Sequence, residues 1–219
     1  MNDKGVIFDL DGVLVDTSRF HFEAWRQWGK RQGITVTEEQ FRQTFGMQNY
    51  QIIPLLLGHE IERDIIDKMS EWKEARYREL AEGNLELMTG AEQLLKDLKN
   101  HGFLMAIGTS TPLVNLNLIL EHTPAGDYID AYVTGEEVKN GKPAPDTFII
   151  AAEKLGLAVD RCVVVEDATA GVEAGKSAGM KVVAVTTTRK REELQSADLV
   201  IDSMKDLNAY SFKKLLDEE

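Results

Sequence analysis

At 219 residues the chain is longer than one small domain, allows at most two, and has room for a substantial core. Its formal charge of -12 excludes nucleic acid and anionic membrane as main partners, and an anionic small molecule needs local cations or a metal against that background. The single cysteine, Cys162, excludes an internal disulfide and sits in an apolar run as a packing residue; with no signal peptide and no membrane-length apolar run, the expectation is a soluble cytoplasmic protein.

Gly5-Val6-Ile7-Phe8 is a short apolar run bounded by turn formers, the pattern of a buried strand. Asp9-Leu10-Asp11-Gly12-Val13-Leu14 follows, and two acids with a glycine cannot continue that strand. They belong in a loop at the sheet edge where α/β proteins place their chemistry. Carboxylates two residues apart on an extended chain share a face, and a turn at Asp11-Gly12 can keep both at one cleft, one to attack and one to handle a proton.

From Asp16 to Asn84 no convincing strand appears. Phe20, Ala24, Trp25 and Trp28 recur at helical spacing, as do Ile61, Ile65, Ile66 and Met69, while Gly33 and Gly58 mark breaks. This interval reads as successive helices forming a small cap with its own core.

Beyond it, strands are expected at 103–107, 131–133, 162–165, 181–185 and 199–201, with helices at 91–100, 147–155 and 168–178 between them. Such alternation implies parallel βαβ units and an open, Rossmann-like α/β sheet covered on both faces. The expected division is a core of residues 1–15 and 85–219 and a helical cap of residues 16–84, inserted after the first strand. The Lys/Glu-rich tail after Tyr210 reads as a solvated helix face.

Three further stations follow strands or fill strand–helix loops. Gly108-Thr109-Ser110-Thr111 offers a hydroxyl and backbone N–H groups suited to a phosphate; it equally suits a helix N-cap, with Ser110 or Thr111 ahead of Pro112 at the first helical position. In Gly141-Lys142-Pro143-Ala144-Pro145-Asp146 the prolines stiffen the loop and fix Lys142, either as a charge on a phosphoryl group or as a surface lysine. Glu166-Asp167, with Gly171 and Gly175 in the helix beyond, suits a hard cation such as Mg²⁺, or N-capping by Asp167. Taken together, the four stations are the parts for metal-assisted phosphoryl transfer.

In the order and spacing of these motifs the chain resembles the haloacid dehalogenase-like superfamily over essentially its whole length. The helical interval and the segment Asp16-Thr17-Ser18-Arg19-Phe20-His21-Phe22-Glu23-Ala24-Trp25 resemble the subfamily of β-phosphoglucomutase and sugar-phosphate phosphatases. The resemblance implies that Asp9 attacks phosphorus and forms an aspartyl-phosphate, and that Asp11 protonates the leaving alcohol and then activates water. It implies Mg²⁺ held by Asp9, the Asp11 carbonyl and Asp167, with Glu166 direct or through water, while Thr109, Ser110 and Lys142 bind the phosphoryl group. Thr17, His21, Gly46, Gln48, Lys73 and Thr111 are the candidate substrate and cap residues; His21 is otherwise a satisfied polar helix residue, and Lys73 a solvated lysine.

The chain departs from the mutases. Gly46-Met47-Gln48-Asn49-Tyr50 carries no arginine, and Pro112-Leu113 replaces a Lys-Asn pair, so the second phosphate site is missing. The expected function is a Mg²⁺-dependent phosphatase of a small phosphorylated metabolite, a sugar phosphate above all, with a β-phosphoglucomutase or a non-catalytic binding protein as alternatives. With no long heptad seam, a monomer or weak homodimer is expected.

Overall fold

A computed structural model describes residues 3–217. Among them β1 (Gly5–Phe8), β2 (Leu104–Gly108), β3 (Ala131–Val133), β4 (Cys162–Glu166), β5 (Lys181–Val185) and β6 (Leu199–Ile201) form one sheet in the order β3-β2-β1-β4-β5-β6. Every pairing is parallel, and β1 lies between β2 and β4. This is the Rossmann-like α/β sheet expected. All four β1 residues are buried because a central parallel strand is covered on both faces, which is why it reads as an unbroken apolar run.

Side-chain alternation divides the core. Val6, Phe8, Met105, Ile107, Val163 and Val165 pack with α5 (Ala91–Asn100), α6 (Leu113–His122) and α9 (Ala209–Asp217). Ile7, Ala106, Val164 and Val182 face the other way, onto α7 (Asp146–Leu155) and α8 (Thr169–Ser177). Phe103 lies outside β2, contrary to the expected start of that strand; its N–H bonds to the Leu98 carbonyl (3.1 Å) and its ring meets Phe212 edge-on, so it closes the α5 turn instead. Cys162 is fully buried in the second layer, as expected, and burial pushes its thiol up to about 12.

Between β1 and α5 run α1 (Ser18–Gln32), α2 (Glu38–Thr44), α3 (Asn49–Leu57) and α4 (Arg63–Ala81). Thr37 starts α2 through a capping box with Gln40, and Gly33 ends α1 at φ 75°. These helices share an apolar cluster of Trp25, Trp28, Val36, Ile52, Ile53 and Ile66. Two members of the expected isoleucine stripe behave differently: Ile61 precedes α4, and Ile65 turns to solvent. The chain leaves and rejoins the sheet at neighbouring points, where Val15 bridges Leu87 and the Met88 N–H donates to the Leu14 carbonyl at 2.8 Å. None of the described helices is long and apolar enough to cross a membrane.

Candidate active site

The carboxyl end of β1 opens into a turn that Gly12 makes at φ 81°, its N–H donating to the Val15 carbonyl at 2.8 Å. A side chain there would be strained by that φ and would meet Asp167 Oδ2 at 2.2 Å. The turn brings Asp9 and Asp11 to one cavity of about 200 Å³ between the sheet edge and α1–α4.

Lys142, only 2% exposed, reaches in from its loop to lie 2.6 Å from Asp9 Oδ1 and 2.7 Å from Glu166 Oε1. The surface-lysine alternative is therefore excluded. Burial raises Asp9 to about 7; Lys142 opposes the shift, while Glu166 and Asp11 add to it. Asp167 is likewise pushed well up by burial and by the charges of Glu166 and Asp9. It does not cap α8, whose N-cap is Ala168 with no side-chain bond. Instead the Glu166 carboxylate accepts from the N–H groups of Asp167 and Ala168, both at 2.7 Å.

Asp11 stands in a different environment. The hydroxyls of Thr17 and Thr111 donate to its Oδ1 and Oδ2, and His21 Nε2 lies 3.3 Å from Oδ1. Burial alone would raise Asp11, but the charge and hydrogen bond of His21, with the two threonine hydroxyls, outweigh it and bring Asp11 down to about 2. Thr111 thus departs from the capping role, and Pro112 takes the N-cap position rather than the first helical one, because Thr111 turns its hydroxyl inward.

Thr109 follows β2 and is buried in the cavity wall; its Oγ1 accepts from the Thr111 N–H at 3.1 Å. The Ser110 hydroxyl donates to the Gly46 carbonyl at 2.9 Å and so ties the core to the loop before α3. Gln48 Nε2 makes a second tie to the Gly135 carbonyl at 2.9 Å. Lys73 is buried, not solvated: its Nζ lies 2.8 Å from His21 Nδ1 and 2.9 Å from Glu74 Oε1. His21 is stacked on Tyr77 with ring centroids 4.0 Å apart.

Several participants escape a reading of the sequence. Glu74 and Asn115 have no motif around them. Thr187 and Thr188 had a usable signal: they follow β5 at the same sheet edge as the other stations. Thr187 Oγ1 donates to the Gly12 carbonyl at 2.6 Å, and Thr188 Oγ1 to the Asp167 carbonyl at 3.1 Å.

The chemistry of the donor set fits Mg²⁺. Ligand oxygens of Asp9, Glu166 and Asp167 lie within 4.8 Å of one another, all from buried carboxylates. One ammonium against three carboxylates leaves a local negative excess, and hard oxygen donors suit a hard cation. Glu166 is the least available of the three, since Lys142 and two backbone N–H groups already occupy its oxygens.

A parallel sheet with acids, a lysine and hydroxyls gathered at its carboxyl edge defines an α/β hydrolytic site. Residues 6–185 match the haloacid dehalogenase-like hydrolase family, and the chain belongs to it. It is 36% identical over 209 residues to hexitol phosphatase A of Escherichia coli, covering 94% of each chain. It is 32% identical over 223 residues to β-phosphoglucomutase of Bacillus subtilis, covering 99% of this chain and 95% of the relative. A solved β-phosphoglucomutase from Clostridium difficile superposes with a TM-score of 0.90 at 28% identity, over 98% of this chain and 97% of the other.

Proposed function

We propose that the protein is a Mg²⁺-dependent phosphatase of a small phosphate monoester, a sugar or sugar-alcohol phosphate. The observation that carries this reading is the contrast between Asp9 and Asp11 in one cavity: the first bound by Lys142, the second held as a carboxylate by Thr17, Thr111 and His21. The hexitol phosphatase relative supports the substrate class. The cavity is smaller than the roughly 300–1,000 Å³ of sites for drug-sized ligands, which suits a small metabolite.

In this reading an Asp9 oxygen attacks phosphorus, the bond from phosphorus to the sugar oxygen breaks, and Asp11 gives that oxygen its proton. The incoming phosphate dianion raises the proton affinity of Asp11, so a group that is ionised in the free site becomes a competent acid. Water then attacks phosphorus, gives its proton to the Asp11 carboxylate, and releases Asp9 and inorganic phosphate. Lys142, Thr109 and the Ser110 N–H hold the phosphoryl oxygens. Mg²⁺ held by Asp9, Asp167 and the Asp11 carbonyl, with Glu166 outside, would supply positive charge against the phosphoryl group.

Hydrolysis is favoured over phosphoryl return to a second sugar hydroxyl. Gln48 Nε2 donates to the Gly135 carbonyl and Asn49 Nδ2 to Glu74 Oε1, so each amide at the missing arginine's position already spends one donor, and neither carries the positive charge with which an arginine would hold a distal phosphate. Helices α1–α4 form the cap (residues 16–84) and the rest the core, a division supported by their separate apolar cluster. A cytoplasmic location and a monomer or weak homodimer complete the proposal.

The test is Asp9→Asn. Mg²⁺-dependent phosphate release from p-nitrophenyl phosphate and from a hexose- and hexitol-phosphate panel should fall by at least about a thousandfold. Turnover like the wild type would remove Asp9 as nucleophile, and conversion of β-glucose 1-phosphate to glucose 6-phosphate, stimulated by the bisphosphate, would make the protein a mutase.

A further inference from the structure

Away from Asp9 and Asp11 the cavity carries a charge imbalance. Two arginine or lysine side chains line it, Arg63 and Lys73, and each already faces a carboxylate of the same wall. Arg63 Nε lies 3.1 Å from Asp67 Oδ1, with its guanidinium over the Tyr50 ring at 4.9 Å. Lys73 Nζ lies 2.9 Å from Glu74 Oε1. A third carboxylate, Glu136, completes the wall from the loop after β3 and pairs with no cation among the described residues. Its neighbour Glu137 is the contrast: it pairs with Lys154 and lies outside the cavity lining.

Glu136 is exposed at the mouth, yet it is held in place. Pro112 stands at the N-cap of α6 with no side-chain bond, so the Leu113 N–H at the helix start finds its acceptor elsewhere, in Glu136 Oε2 at 3.1 Å. The preceding residue, Gly135, packs so closely on Ser110 that a Cβ there would meet the Ser110 carbonyl oxygen at 2.5 Å. The Gly135 carbonyl also accepts from Gln48 Nε2 at 2.9 Å. The backbone that carries Glu136 is thereby fixed against both walls of the cavity. Glu136 Oε1 has no partner among the described residues and is left to accept from the cavity's occupant. An ionised carboxylate has only acceptors, so it receives a hydroxyl or an ammonium and repels a second carboxylate or phosphate.

We propose that Glu136 is a specificity-determining residue that reads the end of the substrate remote from phosphorus. It accepts a neutral hydroxyl or an ammonium there and turns away a second anionic group. The inference rests on the phosphatase reading and narrows its substrate class: phosphate esters of polyols, neutral sugars and amino sugars enter, whereas phosphates of sugar acids and bisphosphates are rejected at the cavity mouth.

The experiment compares two esters of one carbon chain. Glucitol 6-phosphate and gluconate 6-phosphate differ at one end, a hydroxymethyl group against a carboxylate. The ratio of their kcat/KM values is measured for wild type, Glu136→Gln and Glu136→Lys, in about 0.02 M and about 0.5 M NaCl. Where an ester turns over too slowly to follow, its Ki against p-nitrophenyl phosphate replaces kcat/KM. We expect the wild type to favour the glucitol ester by about tenfold or more at low salt. Glu136→Gln should cut that ratio roughly three- to fivefold, and Glu136→Lys should cut it further. High salt should shrink the wild-type ratio more than that of Glu136→Gln, because exposed charges are screened. Glutamine keeps an oxygen for the Leu113 N–H, so a residue that merely caps α6 would leave the ratio and its salt dependence unmoved. A wild-type ratio near one, a ratio that Glu136→Gln leaves within about twofold, or failure of the glucitol ester to be hydrolysed or bound would overturn the proposal. A wild-type protein that hydrolyses no monoester, p-nitrophenyl phosphate included, would instead overturn the phosphatase reading itself.

Discussion

Lys142 Nζ lies 2.6 Å from Asp9 Oδ1, joining residues 133 positions apart in a pair that water barely reaches. The same ammonium holds Glu166. Lys142→Met should leave buried carboxylates unpaired, a change that costs roughly 3–5 kcal/mol when one partner of a buried pair is removed. In a chain of this size that lowers Tm by roughly 10 °C. Thermal unfolding in chelator should show this drop, partly restored by Mg²⁺. A Tm within about 2 °C of wild type would contradict the pairing.

Stability in the absence of metal should depend on pH in two opposing ways. Asp9, raised to about 7, binds its proton more tightly folded than unfolded, so it favours the fold below about 4 and that contribution is lost as pH climbs through 7. Asp167 acts in the same sense. Asp11, lowered to about 2, contributes above about 4 and loses its contribution as pH falls toward 2. Melting curves in chelator should therefore decline from about pH 5 to 7.5, and Mg²⁺ should flatten that decline. A chelated protein that is more stable at pH 7.5 than at pH 5 would refute the crowding of carboxylates at this site.

Thr17→Val and Thr111→Val each remove a donor to Asp11. Hydrogen bonds to a charged group contribute about 1.5–3 kcal/mol, so each change should raise the Asp11 pKa by roughly one to two units. The acid limb of the kcat profile should move to higher pH by a similar amount, with kcat reduced about tenfold. An unmoved acid limb in both variants would separate that limb from Asp11.

Gly171→Ala tests a close approach. A Cβ on Gly171 would meet Glu166 Oε1 at 1.7 Å, far inside contact distance. Alanine is favoured over glycine in a helix by about 1 kcal/mol, so propensity alone predicts a stabilised protein. We expect the reverse: a lower Tm, and half-maximal activation shifted to higher Mg²⁺, because Glu166 and with it Lys142 must move. A variant that is both more stable and unchanged in Mg²⁺ response would show that Glu166 has room to shift.

The strand-end stations were legible because each is a local event: an apolar run, then residues a strand cannot use. Asp9 and Asp167 come from such places, Lys142 from the proline-stiffened loop between β3 and α7, and all reach one site. Of the two roles open to Thr111, the N-cap is the one its local sequence suggests, and only the approach of Asp11, 100 residues away in sequence, turns its hydroxyl into the site. The contact of Glu74 with Asn115 spans 41 residues and two layers of the fold, so nothing local announces it. Lys73 sits in a charged stretch, where solvation is the ordinary outcome; the aromatic walls of Trp25 and Tyr77 decide otherwise.

The place of β1 in the sheet bears on how the chain is made. It emerges first, yet its two neighbours begin at Leu104 and Cys162. At about 5–20 residues per second of synthesis, its apolar edges wait roughly 5–30 s for partners. During that interval α1–α4, whose apolar cluster draws on no strand, are the part of the nascent chain able to collapse on their own. Slower translation past Ala81 would lengthen the exposure of Val6, Ile7 and Phe8, making the stretch before β4 the interval in which a chaperone matters most.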